Sequence, residues 1–138
     1  MRVVAEHGHY LIRWGAPPAG PVAHPGGPSI TVTDTALVIG TFNNSANVSV
    51  YSSEPGEQEP EMLDLEAWDQ VLQTQFTAPG PLRVCSPDGT PPVDDEPWLT
   101  NAPGRWNIRI YARKDGFFAD EAPGPAEDNL VELWQATP

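Results

Sequence analysis

The sequence predicts an all-β domain, an antiparallel β-sandwich of seven to eight short strands with at most one short helix. Three observations carry that expectation. The 138 residues include 17 prolines and 12 glycines, which break helices and punctuate short extended runs. Between these breakers lie short β-rich runs, and His9–Trp14 and Arg105–Arg113 alternate with a period of two, the mark of strands buried on one side. The length suits one domain, 1–138, and although hydrophobic residues make up only 39%, five Trp, three Tyr and four Phe supply large buried areas. Two sheets packed face to face bury one side of each.

The elements follow in order. His9–Trp14 alternates, with Tyr10, Ile12 and Trp14 on one face and His9, Leu11 and Arg13 on the other. Ala16–Pro28 is rich in Pro and Gly and reads as a long surface loop. Ser29–Thr33, Leu37–Phe42 and Val48–Ser52 are β-rich runs separated by polar turns, the pattern of an antiparallel meander. Pro55–Glu61 reads as an acidic loop with no apolar anchor. A turn near 62–67, with Asp64 as a cap, leads into a strand near 69–77. Pro79-Gly80 ends it, and Leu82–Ser86 forms the next strand before a turn at Pro87–Thr90. Arg105–Arg113 alternates most cleanly: Trp106, Ile108, Ile110 and Ala112 face a core, while Arg105, Asn107, Arg109, Tyr111 and Arg113 face water. After an acidic loop, Asp115–Asp128, the last strand is Leu130–Trp134.

Charge is the strongest compositional signal. Nineteen acids against seven bases give a formal net charge of −12. No Lys or Arg occurs between Arg13 and Arg83, a gap that holds Asp34, Glu54, Glu57, Glu59, Glu61, Asp64, Glu66 and Asp69. Such a chain is repelled by nucleic acid and anionic membranes and attracted to basic proteins; the competing reading is solubility alone. The single cysteine, Cys85, excludes an internal disulfide framework and is expected as a small buried packing residue. No apolar run approaches the ~18 residues of a membrane span, and the first residues become charged too soon for a secretory signal. A cytoplasmic protein of bacterial type is expected.

Candidates for chemistry are few. His7 and His9, at i and i+2 on one face of a strand, suit a metal with His24 as third ligand, but a polar chain terminus is the expected reading. Asp88, Asp94, Asp95 and Glu96 offer oxygen ligands for calcium without the spacing of a calcium loop. There is no Gly-x-Ser-x-Gly turn, no phosphate-cradling loop, and no carboxylate in an apolar setting that would raise its pKa. Arg105, Arg109, Arg113 and Lys114 form the one basic edge, explained by cross-strand pairing with Glu132. Neither catalysis nor a cofactor is expected.

The order of His9-Tyr10-Leu11-Ile12-Arg13-Trp14, Ser29-Ile30-Thr31-Val32, a strand after Trp68, Pro79-Gly80 before Leu82-Arg83-Val84, Pro103 to Tyr111 and Asn129 to Trp134 resembles the competence protein J family of bacterial nuclease inhibitors. That resemblance implies a small all-β protein that binds and silences a nuclease. It rests on no motif that assigns contact residues. The charge supplies them: Glu54, Glu57, Glu59, Glu61, Asp64 and Glu66 are expected to form or flank a surface that occludes the basic face of a nuclease or toxin. A second expected patch is Asp94-Asp95-Glu96-Pro97-Trp98, with Trp98 as an exposed anchor. The rival expectation is a small-ligand or carbohydrate-binding module that uses Trp98, Tyr51 or Trp14.

Overall fold

The computed structural model describes residues 1–18, 22–92, 98–117, 119–121 and 124–136. One sheet has the order β1 (Arg2–Ala5), β5 (Ala46–Ser52), β10 (Ala126–Gln135), β9 (Gly104–Arg113), β6 (Gln70–Ala78). The other has the order β3 (Ser29–Val32), β4 (Ala36–Gly40), β2 (His9–Arg13), β7 (Leu82–Cys85), β8 (Trp98–Thr100). The all-β expectation therefore holds, with ten strands among the described residues and helical geometry confined to 3-10 turns at Leu65–Ala67 and Ala119–Glu121. No described helix is long and apolar enough to cross a membrane.

The alternation read from the sequence builds the core. Tyr10, Ile12, Leu37, Ile39, Leu82 and Val84 from one sheet meet Val48, Val50, Trp106, Ile108, Ile110, Val131 and Leu133 from the other. Each large apolar side chain removed from water contributes about 1.5–3 kcal/mol. One buried hydrogen bond joins the sheets through this core, Tyr10 Oη donating to Asn129 Oδ1 at 2.7 Å. A smaller cluster of Leu11, Ala36, Val38 and Cys85 lies outside β2, β4 and β7, where Val22 of the long loop covers it. Cys85 is buried as expected, and that burial pushes its thiol pKa up.

Three expectations need correction. There are two additional strands, β1 and β8, of four and three residues; β1 buries Val3 and Ala5 between exposed Arg2 and Val4, but because Val4 is itself apolar the run shows no alternation in sequence. The meander holds only for β3 and β4. β5 leaves that sheet and pairs in parallel with β10. The cause lies in the turn between β4 and β5. The buried Glu127 carboxylate accepts hydrogen bonds from Phe42 N, Asn43 N and Asn43 Nδ2, each at 2.9 Å, which carries the chain across to β10. Finally, the outer face of β9 is not wet: Arg109 and Tyr111 are 0% exposed. What covers them is the acidic segment itself.

Candidate functional site

β5 and β6 belong to one sheet but lie on opposite sides of the β10–β9 pair, so residues 53–69 must cross both strands. They cross on the outer face as a strap. The strap starts beside β10, where Gly56 forms a parallel bridge to Trp134 on the β5 side: Gly56 N donates to Leu133 O and Gln135 N donates to Gly56 O, both at 3.0 Å. Over β9, Arg109 Nη1 donates to Glu59 Oε1 at 3.0 Å and Nη2 to Pro60 O at 2.7 Å. Next, Leu63 N donates to Tyr111 Oη at 3.1 Å, and that hydroxyl lies 3.8 Å from Met62 Sδ. At the far end Trp68 packs against Tyr111 with ring centroids 5.7 Å apart, beneath the Arg113 guanidinium. Lys114 N donates to Asp69 Oδ2 at 2.8 Å, and β6 begins.

Arg109 is the pin of this arrangement. Its Nε donates to Glu132 Oε1 at 2.9 Å, the cross-strand pair expected from the sequence. Its guanidinium also lies over the Trp134 and Tyr111 rings, 5.1 and 5.6 Å from their centroids. A buried charge is tolerated only when paired and hydrogen-bonded, and here the strap supplies two of the three acceptors. Arg113 pairs in turn with buried Asp128. Arg109 and Arg113 are thus neutralised within the fold and consume one strap acid, Glu59, while Arg105 at the start of β9 donates to the Gln75 side-chain oxygen.

Of the other strap acids, Asp69 accepts from Lys114 N, while Glu54, Glu57, Glu61, Asp64 and Glu66 are exposed, and no ion pair to them is formed among the described residues. Asp64 Oδ1 accepts from Glu66 N at 3.0 Å and caps the 3-10 turn, as its position suggested. The acid segment does have an anchor, and it is polar. The strap also presents apolar side chains that the charge pattern hid: Met62, Leu63 and Leu65 are 52%, 41% and 51% exposed. The available signal was three large apolar residues interleaved with acids in a segment too short to bury both its faces.

The second expected patch lies elsewhere. Leu99 enters the core, so Trp98 faces outward from β8, 40% exposed, with the Arg83 guanidinium 4.8 Å from its ring centroid. This is the outer face of the opposite sheet. Strap and Trp98 therefore do not form one surface. Asp94, Asp95 and Glu96 lie outside the described residues. The aromatic residues considered for a sugar platform are also separated. Tyr51 lies on the strap side at the end of β5, while Trp14 stacks on Phe76 at 5.6 Å with its Nε1 donating to Asp34 O at 3.0 Å.

His7 lies in the tight turn between β1 and β2 and His9 begins β2, so the two do not share one face of a strand. His7 and Gly8 have positive φ values of 56° and 81°, the geometry of a two-residue hairpin turn, and Glu6 bridges His9. His24 Nε2 lies 3.0 Å from the His7 carbonyl, and the His9 and His24 rings are 5.2 Å apart. Burial holds the His9 imidazole pKa below its ordinary value. Among the described residues no three His, Cys, Asp or Glu side chains converge as metal ligands. A cavity of about 470 Å³ opens beside this turn, lined by Glu6, His7, His9, Pro18, Val22, Pro87 and Asp88. Hydrogen bonds from Ser86 and Thr90 hold the Asp88 carboxyl at a pKa of about 2; it closes its own turn.

No protein-family model matches the chain, and no curated protein matches its sequence. Among solved structures, ComJ from Bacillus subtilis, an inhibitor of the DNA-degrading activity of NucA, is similar with a TM-score of 0.64 over 99% of this chain and 94% of its own, at 8% identity. A second, the crocagin biosynthetic gene J product, aligns over 67% of this chain and 61% of its own at 23% identity, with a TM-score of only 0.36. The resemblance to the competence protein J family is thereby borne out at the level of the fold. The similarity in fold extends over nearly the full length of both chains.

Proposed function

We propose that this protein is a non-catalytic, acidic inhibitor or immunity-type protein, and that its strap occludes the basic surface of a nuclease or toxin. The observation that supports it best is the strap: five exposed carboxylates, Glu54, Glu57, Glu61, Asp64 and Glu66, in one segment that crosses the sheet and is tied to it by buried Arg109, with no ion pair to them among the described residues. A nuclease must hold a polyanion on a positive surface. A fixed row of carboxylates competes for that surface and speeds encounter through long-range attraction. The shared architecture with ComJ supports the same reading. A cytoplasmic location fits a protein that guards its own cell.

The test is DNA degradation by basic nucleases of the source organism, with the protein added at rising salt. Inhibition that is strong at low salt and weakens as charges are screened within the ~8–10 Å Debye length is the expected outcome. Failure to block any such nuclease, or inhibition indifferent to salt, defeats the proposal.

A further inference from the structure

Met62, Leu63 and Leu65 are each 41% to 52% exposed, although the backbone that carries them is tied down by Tyr111 and by the capped turn at Asp64. Exposed apolar side chains on a fixed backbone, interleaved with the exposed acids Glu61, Asp64 and Glu66, have the composition of an interface, apolar anchors beside polar groups. The acids also select the occupant. A second copy would set these acids against its own, in a chain of net charge −12, and an anionic membrane surface is repelled for the same reason. A basic protein is attracted.

We propose that Met62, Leu63 and Leu65 form an apolar knob that enters a recess in a basic protein partner, with the interleaved carboxylates paired to the basic rim of that recess. This rests on the inhibitor reading and adds to it which side chains hold the complex once charge has assembled it. Charge at the rim governs association and its salt dependence, whereas the desolvated knob governs dissociation. The two contributions are therefore separable by kinetics.

The probe is the basic nuclease whose DNA degradation the wild-type protein blocks, immobilised for binding kinetics. The variant is Leu63→Ser with Leu65→Ser; both side chains are half exposed, and an unchanged urea midpoint confirms that the fold is intact. Affinity is expected to fall on the order of 100-fold through faster dissociation, with the salt slope of association unchanged. Wild-type dissociation rates in the double variant overturn the knob and leave the inhibitor reading standing. If no nuclease is blocked by wild type, the inhibitor reading falls and this proposal with it. Sedimentation of the wild-type protein as a dimer that Leu65→Ser dissolves assigns the patch to a second copy and also overturns it.

Discussion

Replacing Arg109 by Met tests whether one buried cation holds the strap. The wild-type guanidinium is fully buried and donates to Glu132, Glu59 and the Pro60 carbonyl. These acceptors are not equivalent. The Glu132 side chain is only 9% exposed, whereas that of Glu59 is 58% exposed and can return to water. Methionine fills much of the space between Trp134 and Tyr111 but leaves the Glu132 carboxylate buried without its partner. Breaking a buried pair in this way costs about 3–5 kcal/mol, and in a chain of this length that lowers Tm by roughly 10 °C or more. Glu59→Ala removes only the exposed partner and is expected to cost about 0–1 kcal/mol. Arg109→Met combined with Glu132→Leu removes both buried groups and is expected to regain most of the loss. The assay is urea unfolding followed by tryptophan fluorescence, together with limited digestion by a protease that cuts after glutamate. Cleavage after Glu57 and Glu61 is expected to accelerate in Arg109→Met, and to remain fast in the double variant although its stability returns. Stability within about 1 kcal/mol of wild type, with the strap still protected, refutes the pinning argument.

Further consequences are open to measurement. Tyr10→Phe leaves the Asn129 side-chain oxygen buried without its donor and is expected to cost about 1–3 kcal/mol in urea unfolding; an unchanged midpoint contradicts the inter-sheet role. Gly40→Ala places a methyl group against the Gly27 carbonyl and the Ser29 hydroxyl, so a loss of about 1–3 kcal/mol is expected from overpacking, again read as a midpoint shift. Burial lowers the His9 pKa from its ordinary 6.5, so the unfolded chain binds that proton at higher pH than the folded one does. Its contribution is full above pH 6.5 and is lost as pH falls through the folded value. Urea midpoints between about pH 7.5 and about pH 5 are therefore expected to decline less in His9→Gln than in wild type.

The sequence made legible those parts of the structure that rest on local patterns. Period-two alternation marked β2 and β9, β-rich composition marked six further strands, and proline and glycine marked most of the breaks between them. It did not reveal the parallel partner of β5, because that choice depends on Glu127 reaching back to Phe42 and Asn43 across 84 or 85 residues of sequence. The same limit explains the misread face of β9. Arg109 and Tyr111 alternate as solvent-facing residues do, and only a segment about 50 residues earlier covers them. The acids of the strap were visible as a run, but their apolar companions were not. A leucine in an acidic segment carries no sign of whether it points inward or outward until the crossing of β10 and β9 is known. Trp98 illustrates the converse: its exposure was foreseen, while its place on the opposite sheet depends on β8, too short to be read.

Placement of charge, as distinct from its total, is the central claim, and equal neutralisation at two places tests it directly. Glu61→Gln with Glu66→Gln alters the strap, and Glu6→Gln with Asp34→Asn removes the same charge from exposed positions in other turns. The association rate with the blocked nuclease, measured at low salt, is expected to fall several-fold for the strap pair and to change little for the distant pair. Equal slowing in both would mean that the fold presents diffuse negative charge and no dedicated surface.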